Sequence, residues 1–191
     1  SALLGQVRRL QGLLAASQPI VLGPDGEAPA SLRAAHLGPL LGELEALFRH
    51  RLLAKGLSLQ LTCPPQLVVH TVPELLGGSV LANLLSNAIK FSPAGGRIRV
   101  EAQDCGGVVE LKIVDEGSGF PEDVLAAWRQ GRDPRSRSGS AGEGGQGLGL
   151  GLARDYLSRM GGSMELDRAP EGGAVALLFL PSAQAEASSA V

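Results

Sequence analysis

Glycines stand at alternate positions through Gly145-Gln146-Gly147-Leu148-Gly149-Leu150-Gly151-Leu152, and the run leads straight into a helical pattern. From Leu148 to Met160 the side chains Leu148, Leu152, Tyr156 and Met160 recur at i, i+4 spacing, and Gly161-Gly162 stop them. A glycine inside a helix costs about 1 kcal/mol against alanine. Gly149 and Gly151 must therefore serve something other than helix formation. A helix N-terminus offers unpaired N–H groups and a partial positive charge, which suits a phosphate brought against the backbone. A flexible loop running into a packed helix has the same composition, so what precedes the run has to decide.

The chain has 191 residues, enough for one domain with an attached element. Apolar residues make up 44% and aromatics only 3%, so the core has to be aliphatic. A net charge of −2 argues against a nucleic-acid surface. Cys63 and Cys105 stand alone, without metal spacing or a disulfide framework, which suits a reducing compartment. No apolar run approaches the roughly 18 residues of a membrane span, and no signal peptide opens the chain. The expectation is a cytoplasmic piece with no membrane contact of its own, a tether elsewhere in a longer protein being left open.

Leu3, Val7, Leu10 and Leu14 step by four, three and four, the seam of a helix packing on partner helices. A short amphipathic helix lying on its own domain fits those two turns equally well. The pattern predicts a helical stub over 1–18, and the prolines and glycines of 19–31 predict a linker. From there to 181 one unit is expected. Its helix carries the stripe Leu37, Leu40, Leu41, Leu44, Leu47, Phe48 and Leu52, with Pro39 in the first turn and Gly56 as the stop. Leu57, Leu59 and Leu61 alternate as in a strand, and Leu67-Val68-Val69 suggest another. A helix follows over 73–91, then strands Arg97–Asp104 and Val108–Asp115 joined at Gly106-Gly107. A short helix around Pro121–Arg129 precedes a Gly-, Ser- and Arg-rich loop, 130–146, expected to be a mobile lid. Strands Ser163–Arg168 and Ala174–Leu180 come last, before a small polar tail, 182–191, expected to be disordered. The fold class is α+β: a two-layer sandwich with a mixed, largely antiparallel sheet covered by three helices.

Asn83, Asn87 and Lys90 fall at i, i+4 and i+7 of the helix 73–91 and share one stripe, beside the apolar stripe Leu76, Val80, Leu84 and Ala88. Amide oxygens are neutral, hard ligands suited to Mg²⁺ that also holds waters and phosphate oxygens. An ordinary polar helix face would look the same. Asp115 ends its strand and is followed by Gly117-Ser118-Gly119. An ionised carboxylate accepts hydrogen bonds and so reads an exocyclic amino group, although Asp and Gly are also usual in a tight turn.

In order, the chain reads Asn-Leu-Leu-Ser-Asn-Ala-Ile-Lys-Phe, then Asp-Glu-Gly-Ser-Gly-Phe, then Gly-Gln-Gly-Leu-Gly-Leu-Gly-Leu. This resembles the N box and the two glycine boxes of the catalytic, ATP-binding domain of sensor histidine kinases, from about Leu37 to Leu180. The resemblance implies the Bergerat α/β sandwich shared with gyrase-type ATPases. It also implies transfer of the γ-phosphoryl group of Mg-ATP to a histidine outside this chain. It assigns Asn87 and Asn83 to the Mg²⁺–triphosphate, Lys90 to phosphate and Phe91 to the nucleotide pocket. Asp115 falls to the adenine amino group, Gly117 and Gly119 to the base pocket, and Gly145, Gly147, Leu148, Gly149 and Leu150 to the phosphates. The implied partners are the protein's own dimerisation and histidine-phosphotransfer domain, in a homodimer, and a response regulator. Residues 1–18 are similar to the end of the second dimerisation helix.

Other nucleotide motifs fit worse. Gly142–Gly147 formally satisfies G-x-G-x-x-G with no apolar strand before it, and no G-K-[ST] occurs. The chain departs from the family in three places. His36, His50 and His70 lack the acceptor-box context and read as structural or surface residues. The phenylalanine-rich box after the first glycine box is poor, with Trp128 and Arg129 standing where it would be. Asn83 occupies the position of the glutamate that activates water in ATP-hydrolysing relatives, which favours transfer over hydrolysis. Arg132, Arg135 and Arg137 lie in the lid loop, as solvated residues or within reach of a terminal phosphate. The alternative function is a nucleotide-binding scaffold without phosphotransfer.

Overall fold

The computed structural model describes residues 31–132 and 148–183, with only the backbone of Leu148. The expected helix 1–18, the linker 19–30, most of the lid loop and the tail from 184 lie outside the described residues. The elements are β1 (Arg33–His36), α1 (Leu37–Ala54), β2 (Ser58–Thr62), β3 (Val68–Thr71), α2 (Pro73–Leu75), a π-helical turn (Leu76–Leu81) and α3 (Ala82–Phe91). There follow β4 (Arg97–Asp104), β5 (Val108–Asp115), α4 (Glu122–Arg129), α5 (Leu148–Arg159), β6 (Ser163–Arg168) and β7 (Ala174–Pro181).

Five strands form one sheet in the order β2-β4-β5-β7-β6, parallel only between β2 and β4. The period-2 alternation sends one set of side chains to the helices. Ala102, Leu111, Leu178 and Met164 make one cross-strand row and Val100, Ile113, Ala176 and Leu166 the next, all buried. Asp115 continues the inward set Val109, Leu111, Ile113 and stands opposite Ile98. That parity is why a carboxylate at a strand end is buried.

β1 was not expected. It pairs with β3 in a separate two-stranded ladder, Arg33 opposite Thr71. Ser182 bridges Val69, and Ala183 N–H donates to the Val68 carbonyl. Ser182 is buried, so the folded unit runs past the expected boundary at 181.

α1 stops as its sequence implies. Gly56 takes φ 64° and donates to Leu53 O while Leu57 N–H returns to Leu52 O, closing the last turn. Its buried stripe is Leu37, Leu41, Leu44, Phe48 and Leu52, whereas Leu47, assigned to that stripe from sequence, is 68% exposed. Leu47 lies three residues from Leu44 on the outer margin of a stripe that the core fills with Phe48.

The helix expected over 73–91 is continuous in path but not in winding. A π-helical turn at Leu76–Leu81 carries Gly77-Gly78, and the Ala82 N–H bonds back to Gly77 O. The extra residue keeps Leu75 buried just before the turn and Leu76, Val80 and Leu81 buried within it. In α5 the buried side chains are Ala153 and Leu157, with Met160 buried just past its end, and Leu152 is 40% exposed. Of the recurring set read from the sequence, Met160 is buried, Tyr156 is half-buried against the core and Leu152 faces out. Small residues on the other stripe let α5 lie close to its neighbours.

Candidate nucleotide site

α3, the loop after β5 and the N-terminal turn of α5 meet at one end of the sheet. Asp115 is 7% exposed, and its Oδ1 accepts from Gly117 N–H at 2.8 Å and Ala174 N–H at 3.1 Å. Burial pushes its carboxyl above the ordinary value, and the bonds from Ala174 and Gly117 oppose that shift.

Backbone crowds this carboxylate from several sides. A Cβ on Gly117 would stand 2.6 Å from the Phe91 carbonyl oxygen and 2.8 Å from Asp115 Oδ1. One on Gly119 would stand 2.9 Å from Gly173 O. Gly173 has φ 93°, and a Cβ there would lie 1.9 Å from the Asp115 carbonyl oxygen. Gly117 and Gly119 are thus needed for close packing, and the turn before β7 belongs to the same construction. Sequence reasoning missed Gly173 and Ala174; the Gly172-Gly173 pair was the available signal.

Asn83 Nδ2 donates to Ser79 O at 2.6 Å, back into the π-helical turn. This fixes the amide, and its Oδ1 lies 3.0 Å from where a Gly149 Cβ would be. Gly149 therefore has a packing reason besides the ligand inferred from sequence: α5 passes α3 with Asn83 between them. Asn87 is one turn further along α3, half-buried and on the same stripe.

The C-terminus of α3 is closed by Lys55, whose Nζ donates to Ile89 O at 2.7 Å and Lys90 O at 2.8 Å. A cation on terminal carbonyls is favourable there, and neither bond was foreseen. Lys90 Nζ lies 5.2 Å from the centre of the Phe91 ring, and Phe91 is 57% exposed. The exposed ring thus stands next to a cation, while the Phe91 carbonyl packs against Gly117.

Trp128 is buried, its Nε1 donates to Met164 O at 3.3 Å, and the Arg154 guanidinium lies 4.5 Å over its ring. Arg129 pairs with Glu122 at 3.6 Å and Asp167 at 3.5 Å. The two residues tie α4 to β6, and Trp128 to α5. Arg132 is exposed and donates to Gln130. Gly145, Gly147, Arg135 and Arg137 lie outside the described residues. His36 and His50 are exposed and His70 is half-buried, apart from this cluster.

Among the described residues no three of His, Cys, Asp and Glu gather as a metal cluster. The oxygens that fit a cation here are amide oxygens, consistent with a metal held chiefly through phosphates and water. Among the described residues, no helix is long and apolar enough to cross a membrane.

Residues 73–184, well over half of the chain, match the family described as histidine kinase-, DNA gyrase B- and HSP90-like ATPases. The histidine protein kinase DivJ of Caulobacter vibrioides is 38% identical over 105 residues, 53% of this chain and 17% of DivJ. The chain thus spans under a fifth of that relative's length. The mycobacterial sensor histidine kinase MprB superposes with TM-score 0.65 at 25% identity, over 79% of this chain and 97% of that one. The catalytic domain of histidine kinase ThkA, nucleotide free, shares the fold with TM-score 0.68 at 22% identity, over 79% and 95%. The chain belongs to the histidine kinase-, DNA gyrase B- and HSP90-like ATPases and is an ATP-binding catalytic domain of the sensor histidine kinase type.

Proposed function

We propose that this chain binds Mg-ATP between α3, the Gly117 loop and α5, and delivers the γ-phosphoryl group to a histidine carried outside residues 1–191. The observation that carries the reading is the buried Asp115 carboxylate, held by the backbone N–H groups of Gly117 and Ala174, with the Phe91 carbonyl also packed against Gly117. A group so desolvated and so enclosed by glycines suits a planar base with an amino donor. Asn87, supported by Asn83, would hold the metal, and Lys90 would face phosphate. Bound Mg²⁺ would neutralise phosphate charge.

In the transfer, a lone pair of the acceptor imidazole forms the new N–P bond as the bond from Pγ to its bridging oxygen breaks. The electron pair leaves on ADP, and the imidazole proton goes to solvent. The chain's own part is positioning and charge stabilisation. Residues 1–18 would be the end of a dimerisation helix and 19–31 its linker. The partners in a homodimeric, membrane-tethered or cytoplasmic full-length protein would be its histidine-bearing domain and a response regulator.

Calorimetric titration with ATP, with and without Mg²⁺, followed by labelling with γ-labelled ATP, tests the proposal. The isolated chain should bind without labelling itself, and adding the histidine-bearing helical hairpin should give an acid-labile, base-stable phosphate. Labelling at His36, His50 or His70 would falsify the division of roles. Trp128, buried and bonded to Met164 O, favours a second reading: a nucleotide-binding scaffold. Intact binding with no labelling of the extended protein would select it.

A further inference from the structure

We propose that the Ser92 hydroxyl is a second base-recognition group of the pocket, taking its hydrogen-bond partner from the bound nucleotide beside Asp115. The inference rests on the nucleotide reading above. Ser92 is 2% exposed, between the exposed Phe91 and Pro93, so the chain turns inward at this one residue. Its backbone N–H is used, donating to Ala88 O at 3.0 Å at the end of α3. Among the described residues, its Oγ is the buried side-chain polar atom without a protein partner. Asp115 and Thr71, also buried, do have partners: Asp115 has its two N–H donors, and Thr71 Oγ1 bonds Met160 Sδ at 3.2 Å.

Placement makes the orphan informative. The Phe91–Ser92 peptide and the Asp115 carboxylate both abut Gly117, at 2.6 and 2.8 Å from the same point on that residue. Ser92 therefore stands at the residue that borders the adenine-reading carboxylate. A hydroxyl both donates and accepts, so it can accept the second hydrogen of the amino group that Asp115 holds, directly or through one water shared with that carboxylate. A buried hydroxyl left unbonded is a penalty on the empty protein, and a ligand that supplies the bond converts the penalty into affinity.

The test compares the parent chain with Ser92→Ala in calorimetric titrations with ATP and with purine riboside triphosphate, which lacks the amino group. Thermal unfolding without nucleotide completes it. Ser92→Ala should bind ATP about three- to tenfold more weakly. Purine riboside triphosphate should lose less, and the empty protein should melt no lower than the parent. Equal ATP affinity in the two proteins overturns the proposal, as does equal loss for both nucleotides. A marked fall in the melting temperature of the empty variant also overturns it, because the hydroxyl would then have a structural partner. Failure of the parent itself to bind adenine nucleotides overturns the nucleotide reading beneath it, and the parent titration separates that case from the rest.

Discussion

Asp115 combines two opposed demands. Its burial raises the carboxyl above the ordinary 3.8, so the folded empty protein holds the proton more tightly than the unfolded chain does. The stability this confers is fully present below the unfolded value and lost as pH rises through the folded one. At neutral pH the buried charge thus weighs against folding, for the sake of an acceptor. Asp115→Asn keeps an oxygen for Gly117 and Ala174 and removes that charge. It should leave the empty protein at least as stable at pH 7, with the advantage shrinking as pH falls through the folded value; melting curves across pH check this. The same variant should weaken ATP by about 1.5–3 kcal/mol and lessen its preference over GTP, by calorimetry. In the parent, ATP affinity should begin to fall on acidification at a pH above the ordinary aspartate value, read by titration across pH. Asn87→Ala should lose most of the Mg²⁺-dependent affinity with the fold intact, read from paired titrations with and without the metal.

At the scale of elements, the pocket depends on how α3 is held at both ends. Its start leaves a π-helical turn in which Asn83 is bonded to Ser79 O, and its end is closed by Lys55 on Ile89 O and Lys90 O. Lys55→Ala removes two charge-assisted bonds at a half-buried site. It should lower stability by about 1–2 kcal/mol and weaken nucleotide through the displaced Phe91 peptide; denaturant melts and titration measure the two effects. The turn before β7 tolerates less. Gly173→Ala needs a side chain at φ 93° and 1.9 Å from the Asp115 carbonyl oxygen. The loss should be about 3 kcal/mol or more, with β7 pushed off the pocket, seen in urea unfolding.

Across the molecule, the site lies where three segments distant in sequence converge, so ligand and fold are linked. A ligand that binds only the folded chain should stabilise it by about 2.7 kcal/mol at a hundred times its Kd. Mg-ADP should therefore raise the melting temperature in a concentration-dependent way, and Asp115→Asn should blunt that rise. The core beneath the site is aliphatic, as the low aromatic content requires. Its largest aromatic, Trp128, lies at the β6 side under Arg154. Trp128 and Arg129 thus serve to join α4, α5 and β6.

Strands β4, β5 and β6 were legible with the boundaries the structure gives them, because an alternating apolar set bounded by glycine or proline leaves one register. The positions of Asn83, Asn87, Lys90 and Asp115 could be read for a related reason: helical and strand periods fix which residues share a face. Other features escaped the sequence because each depends on contacts between residues far apart in the chain. β1 has too short a run to declare itself and exists by pairing with β3. The π-helical turn answers to the core around Leu75, Leu76, Val80 and Leu81, since local propensity alone favours regular helix. Leu152 and Leu47 have the same hydrophobicity as their buried neighbours and are exposed because helix rotation is decided by packing against the sheet. Gly149 against Asn83, Gly173 against Asp115 and Gly117 against the Phe91 carbonyl are approaches of backbone to backbone or to a fixed side chain. No local pattern records them, and the tertiary structure alone brings them together.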